Sequence, residues 1–134
     1  MGGDRTLLKN LIVIGHPDKK SFCYNGILQT IVKRLEYWGE EYHVIDLYEE
    51  KFSPSRWYKN QKDVKKYQKL VEESDRIYFI SPVWWFRCTP LLEGFFDQVF
   101  TPGFAYRFKS ITKTYGFPIP LLNDKKVRTY LTHG

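Results

Sequence analysis

Two stretches of this sequence bring together residue types that can hold a flat, anionic ligand. The first is Gly15-His16-Pro17-Asp18-Lys19-Lys20-Ser21-Phe22-Cys23, which follows a near-continuous apolar run from Leu7 to Ile14. Such a run is the pattern of a strand covered on both faces in a parallel sheet. A helical pattern comes next, with Ile27, Leu28, Ile31, Leu35 and Trp38 as its apolar stripe and Ser21 placed to cap it. A strand end, a hydroxyl, free amides and a helix dipole directed at one point make an anion site, and His16, Lys19 and Lys20 are at hand. Taken singly, each of these residues is more often part of an ordinary capped loop with solvated lysines. The glycine spacing of the dinucleotide-binding and P-loop motifs is absent, which argues against both.

The second stretch is Ser81-Pro82-Val83-Trp84-Trp85-Phe86-Arg87-Cys88-Thr89-Pro90. It reads as the end of a buried strand, Ile77 to Ile80, then an aromatic loop, then an amphipathic helix running to Phe100 with Thr89 as N-cap and Pro90 at its first position. Open α/β sheets bind ligands at the carboxyl ends of their strands, where rings can stack on a flat group. Arg56, Trp57 and Tyr58 lie in an irregular segment that could reach such a ligand or pack beneath it. Cys23 and Cys88 fall on loops at the same sheet end, so a thiol mechanism is conceivable, but two unrelated small side chains are the simpler reading. Their spacing offers neither a disulfide framework nor a metal site.

The remaining pattern supplies the elements that position these loops. Tyr42 to Leu47 alternates as an edge-side strand on which His43 is structural or at the surface. Lys59 to Glu73 suits a helix with Val64, Tyr67 and Val71 inward and Lys62, Lys65, Lys66 and Lys69 outward. The segment from Thr101 to Asp124 is too punctuated by Gly and Pro for a long element and predicts a β-ribbon over the ligand end of the sheet. Lys126 to Thr132 is a last strand, followed by His133 and Gly134. Strands alternating with helices give a single α/β domain over 1–134 with right-handed crossovers.

Composition narrows the classes of function. The 134 residues suffice for one domain with a real core, and 18% aromatic residues exceed what that core needs. A net charge of +6 is dispersed among acids with no nucleic-acid-binding signature, so solubility and cofactor phosphates are better explanations than nucleic acid. The sequence shows no signal peptide or spanning apolar run, and the expected compartment is the reducing cytoplasm.

Gly-His-Pro-x-x-x-Ser-Phe at 15–22, Ser-Pro-Val-Trp-Trp at 81–85, Leu-Leu-Glu-Gly-Phe-Phe-Asp-Gln-Val-Phe at 91–100 and Thr-Pro-Gly-Phe-Ala-Tyr at 101–106 resemble the flavodoxin-like NAD(P)H:quinone oxidoreductases. That family includes the ancillary subunits of potassium-efflux systems. The resemblance implies a flavodoxin-like, doubly wound parallel sheet in three α/β/α layers, here ending after the fourth strand, so that the family's C-terminal part is missing. It implies bound FMN or FAD, reduced by NAD(P)H and reoxidised by a quinone. His16, Ser21, Phe22 and Cys23 inherit the flavin phosphate; Pro82, Val83, Trp84, Trp85 and Phe86 inherit the ring; Thr132, His133 and Gly134 inherit its polar edge. A homodimer completes the site in such proteins, with Phe104 to Tyr106 near the interface. Arg87 stands where the family often has a small residue. The alternative reading is a regulatory subunit docking on a membrane transporter while keeping the fold.

Overall fold

The structure, a computed structural model, describes residues 7–54 and 61–133. The elements run β1 (Lys9–Ile14), a π-helical turn (Cys23–Leu28) continuing into α1 (Gln29–Trp38), β2 (Glu41–Asp46), α2 (Gln61–Glu73), β3 (Arg76–Pro82), α3 (Pro90–Val99), β4 (Tyr106–Ser110), β5 (Gly116–Pro120) and β6 (Lys126–Thr132). Four strands form an all-parallel sheet in the order β2-β1-β3-β6, and β4 and β5 pair as a separate antiparallel ribbon.

The apolar run of β1 explains the layering. Successive side chains alternate between faces, and both faces are covered. Leu11 and Val13 join Ile45, Leu47, Ile77 and Phe79 beneath α2 and α3, against Tyr67, Val71, Leu92, Phe95 and Val99. Ile12 and Ile14 join Ile80 under the other layer, against Cys23, Tyr24 and Leu35. β1 therefore sends its connection to one face through α1, and β3 sends its own to the opposite face through α3. A crevice opens where neighbouring strands diverge in this way.

Phe95 is the largest fully buried side chain and centres an aromatic cluster, with rings of Phe52, Tyr67, Phe79 and Phe100 at 5.4–6.5 Å. Gly94 lets α3 approach the chain at Pro54, since a Cβ there would lie 2.5 Å from the Pro54 Cα. Gly39 ends α1 in the left-handed conformation, as its position after the helical stripe predicts.

The ribbon forms as expected but is rooted elsewhere. Gln68 Nε2 donates to the Val99 carbonyl, Leu121 N–H donates to the Ala105 carbonyl, and Phe104 and Leu122 pack against the core below α2 and α3. This root lies where α3 ends and β6 begins, the end of the sheet opposite the ligand loops. A helix following β3 must run back to the strands' amino ends, so the chain leaves from there. β6 is an edge, with Val127, Tyr130 and Leu131 between 39% and 48% exposed.

Candidate functional site

The three strand-end segments singled out in the sequence converge. Gly15 N–H donates to the Ile80 carbonyl (2.9 Å), Val83 N–H donates to the Thr132 carbonyl (2.7 Å), and Cys23 Sγ lies 3.4 Å from Thr132 Oγ1. Residues 15–23, 82–86 and 132–133 thus come together at the carboxyl ends of β1, β3 and β6. Gly134 lies outside the described residues, as do Arg56, Trp57 and Tyr58.

The first loop is a compact polar turn. Asp18 caps it from within, its Oδ1 accepting from Lys20 N–H and its carbonyl accepting from Ser21 N–H. His16 Nδ1 accepts from Asp18 N–H at 2.9 Å, which places the neutral ring's proton on Nε2, free to donate outward. Ser21 does not cap the helix as the sequence predicts. The cap position falls to Phe22, without a side-chain bond, because the helix opens as a π-turn whose amides Tyr24 and Asn25 both use the Ser21 carbonyl. Ser21 Oγ is left buried without a partner among the described residues, and the Phe22 and Cys23 amides find no backbone acceptor there. An orphaned hydroxyl beside free amides costs stability unless a ligand satisfies it. π-turns within helices recur at functional sites. Phe22 is 69% exposed, and Cys23 is buried.

The second loop is a two-residue hairpin. Trp84 N–H donates to the Arg87 carbonyl at 2.8 Å and Arg87 N–H returns to Trp84 at 3.2 Å. Both tip residues are left-handed, Trp85 at φ 52° and Phe86 at φ 63°. Tight hairpins of this hand favour Asn-Gly, so two bulky aromatics there are strained. Trp85 and Phe86 are 91% and 98% exposed, whereas Pro82 is buried and Val83 half-buried. Beside the hairpin a cleft of about 600 Å³ is bordered by Trp84, Trp85, Arg87, Cys88 and, from α3, Glu93 and Asp97. Burial, then Glu93, pushes the Cys88 thiol above its ordinary range, which weighs against a thiolate there. A separate depression of about 390 Å³ around Asn10, Glu40 and Ser74 lies at the other end of the sheet, remote from these loops.

Two groups that sequence reasoning missed lock the loops together. Thr89 Oγ1 donates to the Gly15 carbonyl at 2.8 Å, and Thr89 N–H donates to Ser81 Oγ at 3.1 Å, all buried. Gly15 is required for this approach, since a Cβ there would sit 2.9 Å from Thr89 Oγ1. Thr89 thus occupies the cap position without capping; Glu93 instead accepts from Cys88 N–H. The second group is Asp46, at the end of β2, which joins Tyr24, Lys19 and Glu49.

The sequence profile of the family described as "Flavodoxin-like fold" matches residues 9–134. The chain belongs to that family. Among relatives of this flavodoxin-like chain, NAD(P)H dehydrogenase [quinone] 1 of Cavia porcellus is 31% identical over an alignment covering 96% of this chain and 54% of that protein. Among solved structures, the NAD(P)H:quinone oxidoreductase of Methanothermobacter marburgensis superposes with a TM-score of 0.67 at 30% identity, over 76% of this chain and 58% of that one. General stress protein 14 of Treponema denticola, solved in complex with FMN, gives a TM-score of 0.63 at 26% identity, over 94% and 62%. The flavodoxin-like chain spans about half to two thirds of the curated relatives it matches first. No helix among its described residues is long and apolar enough to cross a membrane.

Proposed function

We propose that this chain forms the flavin-holding part of an FMN-dependent NAD(P)H oxidoreductase that passes two electrons to a quinone. The observation that carries the reading is the meeting of these loops, with a buried Ser21 hydroxyl that has no partner among the described residues on one side and an exposed aromatic hairpin on the other. A phosphate and a flat ring are what these two sides accept. The names of the relatives motivate the reductant and the acceptor, and the Treponema structure with FMN favours FMN over FAD.

In this reading Ser21 Oγ, the Phe22 and Cys23 amides and His16 Nε2–H hold the phosphate, where donors near a helix start favour an anion. Phe22 lends its exposed ring to the rim. Pro82, Val83, Trp84, Trp85 and Phe86 enclose the ring system, and Thr132 and His133 meet its polar edge. Bound flavin supplies the hydride-accepting chemistry; the chain's residues bind it, orient it and keep water from its buried side. No side-chain nucleophile is required. The exposed Phe108, Ile111, Tyr115 and Phe117 of the ribbon form an apolar surface suited to a second subunit in a homodimer. Two free cysteines suit a reducing compartment such as the cytoplasm.

The purified protein, reconstituted with FMN, should show a flavin absorption band that bleaches with NAD(P)H and returns with quinone. A chain that takes up no flavin refutes the reading. Flavin retention without turnover, together with capture of a membrane transporter, would move the assignment to a regulatory subunit.

A further inference from the structure

The crevice is supported from behind by an ionic knot that the phosphate-holding role does not itself use. Asp46, whose side chain is only 15% exposed, receives Lys19 Nζ on Oδ2 at 2.8 Å and Glu49 N–H on Oδ1 at 3.1 Å. The Tyr24 hydroxyl stands 2.9 Å from each Asp46 oxygen and 3.0 Å from the His16 carbonyl. It has one proton to give, and the carboxylate is the strongest acceptor in reach. Lys19 also reaches Glu49 at 3.0 Å and lies 5.0 Å from the centre of the Tyr24 ring. Its charge is therefore already matched by two carboxylates, so Lys19 serves as a strut rather than as the anion-binding cation its sequence position suggests. Tyr24 sits in the first turn after Ser21, and Lys19 sits two residues before it. One carboxylate on β2 thus holds the 15–23 turn on both sides of Ser21.

We propose that Asp46 is the positioning residue of the phosphate turn: by engaging Lys19 and Tyr24 together it fixes the shape in which Ser21 Oγ and the adjacent amides are left open for a phosphoryl group. This rests on the assignment of that turn to the flavin phosphate. Asp46 touches no part of the ligand, and its influence passes through the turn. A phosphate site made mostly of amides depends on backbone shape more than on charge, since misaligned donors lose most of their energy.

The consequence separates phosphorylated from unphosphorylated ligand. Asp46→Asn and, independently, Tyr24→Phe should weaken FMN binding about tenfold, the size expected when one charge-assisted contact is lost. Riboflavin, which has the same ring and no phosphate, should bind each variant within about twofold of wild type. Tyr67→Phe is the control for general loosening. Its hydroxyl donates to Glu50 at 3.2 Å under the opposite face of the sheet, and both flavins should bind it as they bind wild type. Affinities are read from quenching of flavin fluorescence, and folding of each variant from circular dichroism. Equal weakening of FMN and riboflavin, or no weakening of either, overturns the proposal. Should wild type bind neither flavin, the flavin assignment fails by itself. Inorganic phosphate, followed by ³¹P line broadening, then decides the role of Asp46. Binding lost in Asp46→Asn and in Tyr24→Phe upholds it, whereas equal binding in all forms, or none in wild type, overturns it.

Discussion

Replacing Thr89 by Val tests whether the two ligand loops are held together by one hydroxyl. The substitution keeps shape and β-branching while removing the group that donates to the Gly15 carbonyl at 2.8 Å. Thr89 makes no side-chain cap bond to α3, so no capping loss is mixed into the effect. The Gly15 carbonyl is left buried beside a methyl group, and a buried acceptor deprived of its donor costs about 1–3 kcal/mol. The middle of that range, about 2 kcal/mol, is the expected loss. For a chain of this length about 2 kcal/mol corresponds to a Tm lower by roughly 5–8 °C. Thr89→Ser is the matched comparison, since it keeps the hydroxyl and deletes one buried methyl at about 1 kcal/mol. Urea unfolding followed by circular dichroism gives both values, and a flavin titration shows whether the site loosens in Thr89→Val alone. If Thr89→Val is no more destabilising than Thr89→Ser, the Gly15 bridge does not hold the loops and the reasoning is wrong.

Other expectations follow from the same geometry. Ser21→Ala removes a buried hydroxyl that has no partner among the described residues, so urea stability should stay level or rise while FMN affinity falls by about tenfold, a pairing of effects that a packing role would not give. Phe86→Gly relieves a left-handed aromatic that is 98% exposed; stability should rise by about 0.5–1 kcal/mol in a urea melt while flavin binding weakens. Alkaline pH should destabilise the fold. Burial raises the Cys88 thiol above its ordinary 9.0 and the Tyr24 and Tyr67 phenols above 10.0. Hydrogen bonds to Asp46 and Glu49 raise Lys19 above 10.5. In all four the folded value lies above the unfolded one, so their contribution is complete below about pH 9 and is lost as pH rises through the folded values. The urea midpoint should therefore decline from about pH 9 upward, with no change between pH 6 and 8 from these groups.

The layered sheet was legible because β1 and β3 are apolar on both faces, and only a parallel sheet between two helix layers buries such strands. The ribbon was legible from its glycines and prolines, but its root was not, because local punctuation does not say which end of the sheet a chain leaves from. The convergence of residues 15–23, 82–86 and 132–133 followed from strand order. What sequence could not disclose were contacts between distant positions with ordinary local roles. Thr89 looked like a helix cap and turned out to bridge to Gly15; Lys19 looked like a phosphate ligand and is tied to Asp46. Trp85 and Phe86 carry no glycine or asparagine to announce a left-handed turn, so tertiary constraint there overrides local preference. The π-turn left its mark only in Ser21, whose hydroxyl a regular helix start would have used.

The order β2-β1-β3-β6 also governs when this protein becomes competent. Each parallel pairing closes a long crossover, and such closures are slow. Among the described strands β6 pairs only with β3, after α3 and the whole ribbon intervene, yet its end at Thr132 meets both Val83 and Cys23. A chain with β1, β2 and β3 in place has most of its core and two of the three walls of the crevice. Ligand capture should thus lag behind core formation in refolding, and the final kinetic phase should be the one a ligand accelerates or traps.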